Sequence, residues 1–394
     1  MAIQDSVFIC APKRTAIGSF QGSLASVEAP ELAAVVIRAI IAELNLAPDA
    51  VHEVILGTVL SAGQGQAPAR QAAIKAGLSN AVHAMTVNKV CSSGLKAVLL
   101  ARDSLRLGRS DAVIAGGMES MSMAPYLVPS LRAGARLGNT QAIDSLIHDA
   151  LWDVYNNMHM GNCAELCADK FSLTREQQDA YAIESYRLAV DAIANGYFKE
   201  EIVPVEVKSG KSSVVFDTDE EPAKGNPAKI PSLKPVFKKD GTVTAANASS
   251  INDAASAMLL CNEKFIKAHN VEPIARIVSE GYHAHAPEWF TIAPVGAVTN
   301  ALSAAKLSIS QIDLFEINEA FSAVALACSG ELKIPSEKLN RSGGAVALGH
   351  PVGASGARIL TTLLYSMKRQ GLKKGVAAIC NGGGEASAVV VEKV

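Results

Sequence analysis

The chain has 394 residues, enough for about two or three domains and a large core. Hydrophobic residues make up 49% but aromatics only 5%, so the apolar mass is mostly Ala, Val, Ile and Leu, which suits helices packed closely on sheet. A net charge of −2 spreads no basic field for nucleic acid or an anionic membrane, and no apolar run reaches membrane-spanning length.

Ser6 to Cys10 reads as a strand, so near the start that no secretory leader is expected. Pro12-Lys13-Arg14-Thr15 reads as a loop. Glu31 to Leu44 has helical periodicity, His52 to Leu60 reads as a strand, and Arg70 to Ala76 as a helix. Met85 to Val90 is a strand that runs directly into Cys91-Ser92-Ser93-Gly94, and a helical pattern follows to about Arg106. Cys91 therefore sits at a strand-to-helix turn. Unpaired N–H groups there carry partial positive charge, which predicts a favoured thiolate. Ala112 to Gly117 is a buried strand ending in glycines. The early chain thus alternates helices with short apolar strands, the mark of an α/β layered fold.

From about 121 to 249 the character changes. Thr174 to Asn195 is an amphipathic helix with Thr174 as N-cap and Gln177 placed for a capping box. Cys163 and Cys167 stand at helical spacing and mark one buried face rather than half of a zinc site. The loop-rich stretch 208–240 carries lysines at 208, 211, 224, 229, 234, 238 and 239. Nearby acidic residues partly cancel them, so most read as a solvated surface, with a few available to a phosphate-bearing ligand. Asn252 to Leu260 then reads as a helix, Ile274 to Glu280 as a strand, Val295 to Ala305 as a helix, Leu314 to Ile317 as a strand, and Glu319 to Gly330 as a helix.

The end of the chain repeats its beginning. Ser93-Gly94, an apolar helix, Gly108 and Ala112 to Gly117 have a counterpart in Ser355-Gly356, an apolar helix, Gly371 and Val376 to Cys380 with Gly382-Gly383-Gly384. Two α/β halves related by duplication follow, with 121–249 inserted in the first. Corresponding turns of similar halves meet, so the turn before Ser355 should lie near Cys91. That turn holds His350, between Gly349 and Pro351. A cysteine nucleophile needs such an imidazole as base. Cys380-Asn381-Gly382 presents a second sulfur, with glycine N–H groups able to donate to an oxyanion. Asn318, in Asn318-Glu319-Ala320-Phe321, either caps a helix or holds a catalytic water. Two cysteines and one histidine suggest divided labour: one sulfur carries an acyl group and the other moves a proton. No Cys-x-x-Cys pair occurs among the seven cysteines, which implies reduced thiols.

The Cys91 turn, Gly241 to Ser249, Asn318-Glu319-Ala320-Phe321, Gly349-His350-Pro351 and Cys380-Asn381-Gly382, in that order, resemble the thiolases, and among them the acetyl-CoA acetyltransferases. The resemblance spans essentially the whole chain. It implies a layered αβαβα fold of two halves: 1–120 with 250–272, then 273–394, with 121–249 as an inserted loop domain that binds coenzyme A. It further implies that acetyl-CoA acylates Cys91 while His350 removes the thiol proton. Cys380 deprotonates a second acetyl-CoA, and the carbanion attacks acyl-Cys91 to give acetoacetyl-CoA and free CoA. Cys91 and Gly382 would donate backbone N–H groups to the tetrahedral oxyanion, and His350 with an Asn318-held water would stabilise the enolate. His159, Ser249, Ala320 and Phe321 would contact coenzyme A, with Lys224 the nearest cation to its phosphates.

The resemblance implies no cofactor beyond coenzyme A thioesters. The tyrosine that a potassium site needs in some relatives is replaced here by Pro222, and His283 with His285 lacks the further ligands of a zinc site. A cytoplasmic homodimer or homotetramer is expected. The alternatives are a longer-chain 3-ketoacyl-CoA thiolase, a decarboxylating ketoacyl synthase, a non-catalytic CoA-binding module and a Cys-His-Asn protease. The second glycine-flanked cysteine argues against the last three.

Overall fold

The computed structural model describes residues 6–210 and 212–394, so Lys211 lies outside the described residues. The first half contributes β1 (Val7–Thr15), α1 (Ala29–Glu43), β2 (Glu53–Gly57), α2 (Pro68–Lys75), β3 (His83–Val87), α3 (Ser93–Arg106) and β4 (Ala112–Ser120). The middle segment carries α4 (Met160–Lys170) and α5 (Arg175–Ala194). There follow β5 (Asn252–Cys261), β6 (Ala275–Ala284), α6 (Ala293–Ala305), β7 (Leu314–Ile317), α7 (Ser322–Leu332), α8 (Val352–Gln370), β8 (Lys374–Asn381) and β9 (Glu385–Lys393).

The strands lie in the order β7-β8-β9-β6-β1-β5-β4-β2-β3. The expected duplication is visible in the pairing. In the first half β2–β4 is parallel, and β4–β5 and β5–β1 are antiparallel. In the second half β7–β8 is parallel, and β8–β9 and β9–β6 are antiparallel. Antiparallel pairing of β1 with β6 joins the two sets.

Helices α3 and α8 cross between the halves, and glycines let them touch. A Cβ on Gly94 would stand 2.9 Å from the Gly353 carbonyl, and one on Gly356 only 2.5 Å from the Leu95 nitrogen. Close packing of the two helix starts brings the turns that precede them together. Nearly all of α8 is buried.

Two sequence expectations fail. Asn252 to Leu260 is strand β5, not helix, and all ten residues from Asn252 to Cys261 are buried. It lies between β1 and β4, so its ladder is filled on both sides, and tertiary pairing overrides the helical preference of its alanines. Pro12 to Thr15 is not a loop but the end of β1, after a bulge between Cys10 and Lys13 at which Ala11 takes a φ of 42°.

The middle segment is locally well specified. Thr174 and Gln177 form the expected capping box on α5. Cys163 and Cys167 face inward from α4 into the apolar cluster of the second half. Arg14 on β1 ties this segment down. Its buried guanidinium bonds Glu201 at 2.6 Å and Asp219 at 2.7 and 2.9 Å. No helix among the described residues is long and apolar enough to cross a membrane.

Candidate active site

The parallel pair β7 and β8 ends side by side, and chemistry-bearing residues leave both carboxyl ends. Cys380 lies near the end of β8, fully buried. Asn318 follows β7, and its N–H bonds the Ala378 carbonyl at 3.0 Å. Asn318 caps no helix, because α7 begins only at Ser322 with Phe321 as its N-cap. Its side-chain nitrogen instead lies 3.5 Å from His350 Nε2, and its buried Oδ1 has no partner among the described residues. That oxygen suits a water-holding role.

His350 is fixed from three sides. Its N–H donates to Asn252 Oδ1 at 2.9 Å. Gly349 is required beside it, since φ is 104° and a Cβ would fall 2.3 Å from the same oxygen. His350 Nδ1 lies 2.6 Å from Ser355 Oγ, whose hydroxyl donates to the Pro351 carbonyl at 2.9 Å. With that hydroxyl proton committed, Nδ1–H donates to Ser355, and Nε2 carries the lone pair, with the Asn318 side-chain nitrogen 3.5 Å from it. Burial, with the Arg358 guanidinium adding to it, pulls the imidazole down to about 3, so it rests neutral.

Cys91 is half-buried, two residues before α3. The expected resting thiolate is not favoured. Burial pushes the thiol up to about 12, although the N–H groups of Gly382 and of Cys91 itself pull it down. Desolvation outweighs the helix terminus. Burial, and then the nearby Cys91 sulfur, likewise drives Cys380 well above the usual thiol range. Two neutral thiols therefore stand beside one neutral base.

A cavity of about 220 Å³ opens onto Cys91 and His350, while Cys380 and Asn318 are not in its lining. Cys91, His350 and Gly382 line it, with His159, Ser249, Ala320 and Phe321 from the predicted coenzyme A set. Met121, Leu151, Met160 and Phe290 make the remaining wall largely apolar. Lys224 is not in that lining; it bonds Ser19 and lies 3.8 Å from Glu221. A larger open cleft of about 1110 Å³, around Lys13, Glu43 and Lys368, holds no cysteine. Among the described residues no group of three His, Cys, Asp or Glu side chains is placed to hold a metal.

Two buried carboxylates have no role in the sequence reading, although Glu319 stands inside Asn318-Glu319-Ala320-Phe321. Glu119 accepts from the N–H groups of Val59, Leu60 and Gly353 and from Thr58 Oγ1, all within 3.1 Å, which pins the start of α8 to the first half. Burial nonetheless lifts its carboxyl to about 7. Glu319 accepts from Tyr181, Ser185, Asn340 and the Val346 N–H, all within 3.0 Å, so it anchors the Asn318 loop. Their partners come from segments far apart in sequence, and no local spacing announces them.

Comparison with known proteins agrees with this geometry. Residues 7–264 match the thiolase N-terminal domain and residues 271–393 the thiolase C-terminal domain. The chain is 50% identical to an acetyl-CoA acetyltransferase of Pseudomonas aeruginosa, over 99% of this chain and all of that one. It is also 50% identical to an acetyl-CoA acetyltransferase of Saccharomyces cerevisiae, over the full length of both. The crystal structure of the Bacillus anthracis acetyl-CoA acetyltransferase superposes with a TM-score of 0.98 at 39% identity, covering both chains completely. With a two-half sheet and matches to both thiolase domains across 7–264 and 271–393, the chain belongs to the thiolase family.

Proposed function

We propose that the chain is an acetyl-CoA C-acetyltransferase, condensing two acetyl-CoA molecules reversibly to acetoacetyl-CoA and CoA through acetyl-Cys91. The observation that carries this reading is the single cavity shared by Cys91, His350 and the Gly382 backbone, with the Cys380 sulfur beside it.

The protonation states set the order of events. Neutral Cys91 attacks the thioester carbonyl as its proton passes to His350 Nε2. The N–H groups of Cys91 and Gly382 face the place where the carbonyl oxygen becomes negative, and each such donor contributes about 3–4 kcal/mol in a dry site. The departing CoA sulfur needs a proton, and the neutral Cys380 thiol supplies it. Cys380, now a thiolate, removes a methyl proton from the second acetyl-CoA, and the Asn318 and His350 side stabilises the enolate oxygen. The enolate carbon attacks acetyl-Cys91, and Cys91 regains its proton from His350. Every proton lent in the first half is returned in the second.

The small cavity, closed by Phe290, Phe321 and Met160, supports a short acyl group over a long one. The segment 121–249 acts in this reading as the loop domain over coenzyme A, since His159, Phe237 and Ser249 reach the cavity from it. Exposed Tyr126, Leu131 and Leu137 in the same segment support assembly into a homodimer or homotetramer.

The test is acetylation and condensation by Cys91→Ala and Cys380→Ala. The first is expected to lose covalent labelling by acetyl-CoA, and the second to keep labelling while condensation falls by at least a hundredfold. Condensation by Cys380→Ala at the unsubstituted rate would overturn the divided roles. Thiolysis of acetoacetyl-CoA against a long-chain 3-ketoacyl-CoA tests the chain length.

A further inference from the structure

The Cys91 turn and the Cys380 turn belong to different halves, and their reaction requires a fixed separation. Bonds within the first turn fix only its own shape. Val90, a β-branched residue, is held at a φ of 47° immediately before Cys91. Its N–H donates to Asn88 Oδ1 at 2.9 Å, Ser93 Oγ donates to its carbonyl at 2.6 Å, and Lys89 N–H donates to Ser93 Oγ at 2.8 Å. A left-handed residue at a working site persists only where its surroundings over-determine it.

Besides the Gly382 N–H that reaches the Cys91 sulfur, two side-chain contacts cross between the turns. Ser92 occupies the N-cap position of α3, yet its hydroxyl caps nothing. It donates instead to the Ile379 carbonyl at 3.2 Å, one residue before Cys380. The second contact is an ion pair between Lys89 Nζ and the Glu385 carboxylate. Glu385 faces Asn381 across the tight turn that presents Gly382, so Lys89 grips the base of that turn. The other side of the turn is already seated, with the Gly384 carbonyl accepting from His285 N–H at 2.9 Å.

We infer that Lys89 and Glu385 are a positioning pair that sets the spacing between the Cys91 sulfur and the Cys380–Gly384 turn. The inference rests on the reaction proposed above. Neither side chain lines the substrate cavity. Both are partly exposed, at 24% and 36%, and an ion pair at such a place contributes little to folding stability. The pair therefore affects turnover without affecting substrate binding or the fold.

The experiment is a double-variant cycle on the full chain: Lys89→Met, Glu385→Gln, both together, and the charge exchange Lys89→Glu with Glu385→Lys. Each single variant is expected to lower kcat for condensation about 5- to 20-fold while KM for acetyl-CoA stays within about twofold. The Met/Gln double is expected to be no slower than the worse single, and the exchanged pair to recover at least half of the loss. Singles that keep the unsubstituted kcat, or losses that multiply in the double, would overturn the pairing. The unsubstituted enzyme is assayed in parallel for acetyl label on Cys91. An unlabelled Cys91 would overturn the reaction reading and the pairing with it, whereas a labelled Cys91 with unaffected singles overturns the pairing alone.

Discussion

Ser355→Ala is the perturbation that tests the base most directly. In the native site Ser355 Oγ stands 2.6 Å from His350 Nδ1 and is fully buried, so no bulk water replaces it. Its own hydroxyl is committed to the Pro351 carbonyl at 2.9 Å, which leaves it an acceptor and fixes the proton on Nδ1. Removing it strands a buried N–H, at a cost of about 1–3 kcal/mol. The ring escapes that cost by moving the proton to Nε2, and in that tautomer it cannot take the Cys91 proton. A shift of about 1–2 kcal/mol between tautomers lowers the productive fraction roughly 5- to 30-fold. The assay is single-turnover acetylation of Cys91 by labelled acetyl-CoA, with a melting curve beside it. The expected result is a rate lower by that factor. Acetylation at the unsubstituted rate would refute the assignment of Nε2 as the free base.

The other predictions concern protonation and packing. With the Cys91 thiol pushed up to about 12, alkylation by iodoacetamide should rise about tenfold per pH unit from roughly pH 6 to 8, with no thiolate plateau at the acid end. His350 titrates near 3 when folded against an ordinary 6.5, so below pH 6.5 the unfolded chain binds a proton that the native state refuses. Stability is therefore lost as pH falls through that window, at up to about 1.4 kcal/mol per unit. His350→Asn should remove that share of the slope in pH-dependent unfolding. Glu319→Ala strands four buried donors and is expected to cost about 3–5 kcal/mol, read from denaturant midpoints; a loss below about 1 kcal/mol would show that the loop is anchored elsewhere.

Much of the site was legible because its signals are local. A cysteine directly after an apolar strand and before Ser-Ser-Gly, a histidine between Gly349 and Pro351, and Cys380 before three glycines each announce a tight turn with backbone exposed to a ligand. The repeat of Ser-Gly, helix, glycine and strand pointed to paired halves, and the strand pairing bears that out. The capping box at Thr174 was equally plain, because all of its partners lie within one helical turn.

The tertiary structure decided what depends on partners distant along the chain. Asn252 to Cys261 contains a composition compatible with helix or strand, and only its place between two other strands chooses. Asn318 is freed from capping by a helix that starts later than its pattern suggests, and it meets His350 instead. The Cys91 thiol is held neutral because burial in the assembled fold costs a thiolate more than a helix terminus returns. Local sequence therefore determines which residues carry reactive atoms and which turns expose them. Their protonation, orientation and separation follow from desolvation and from hydrogen bonds between segments that only folding brings together.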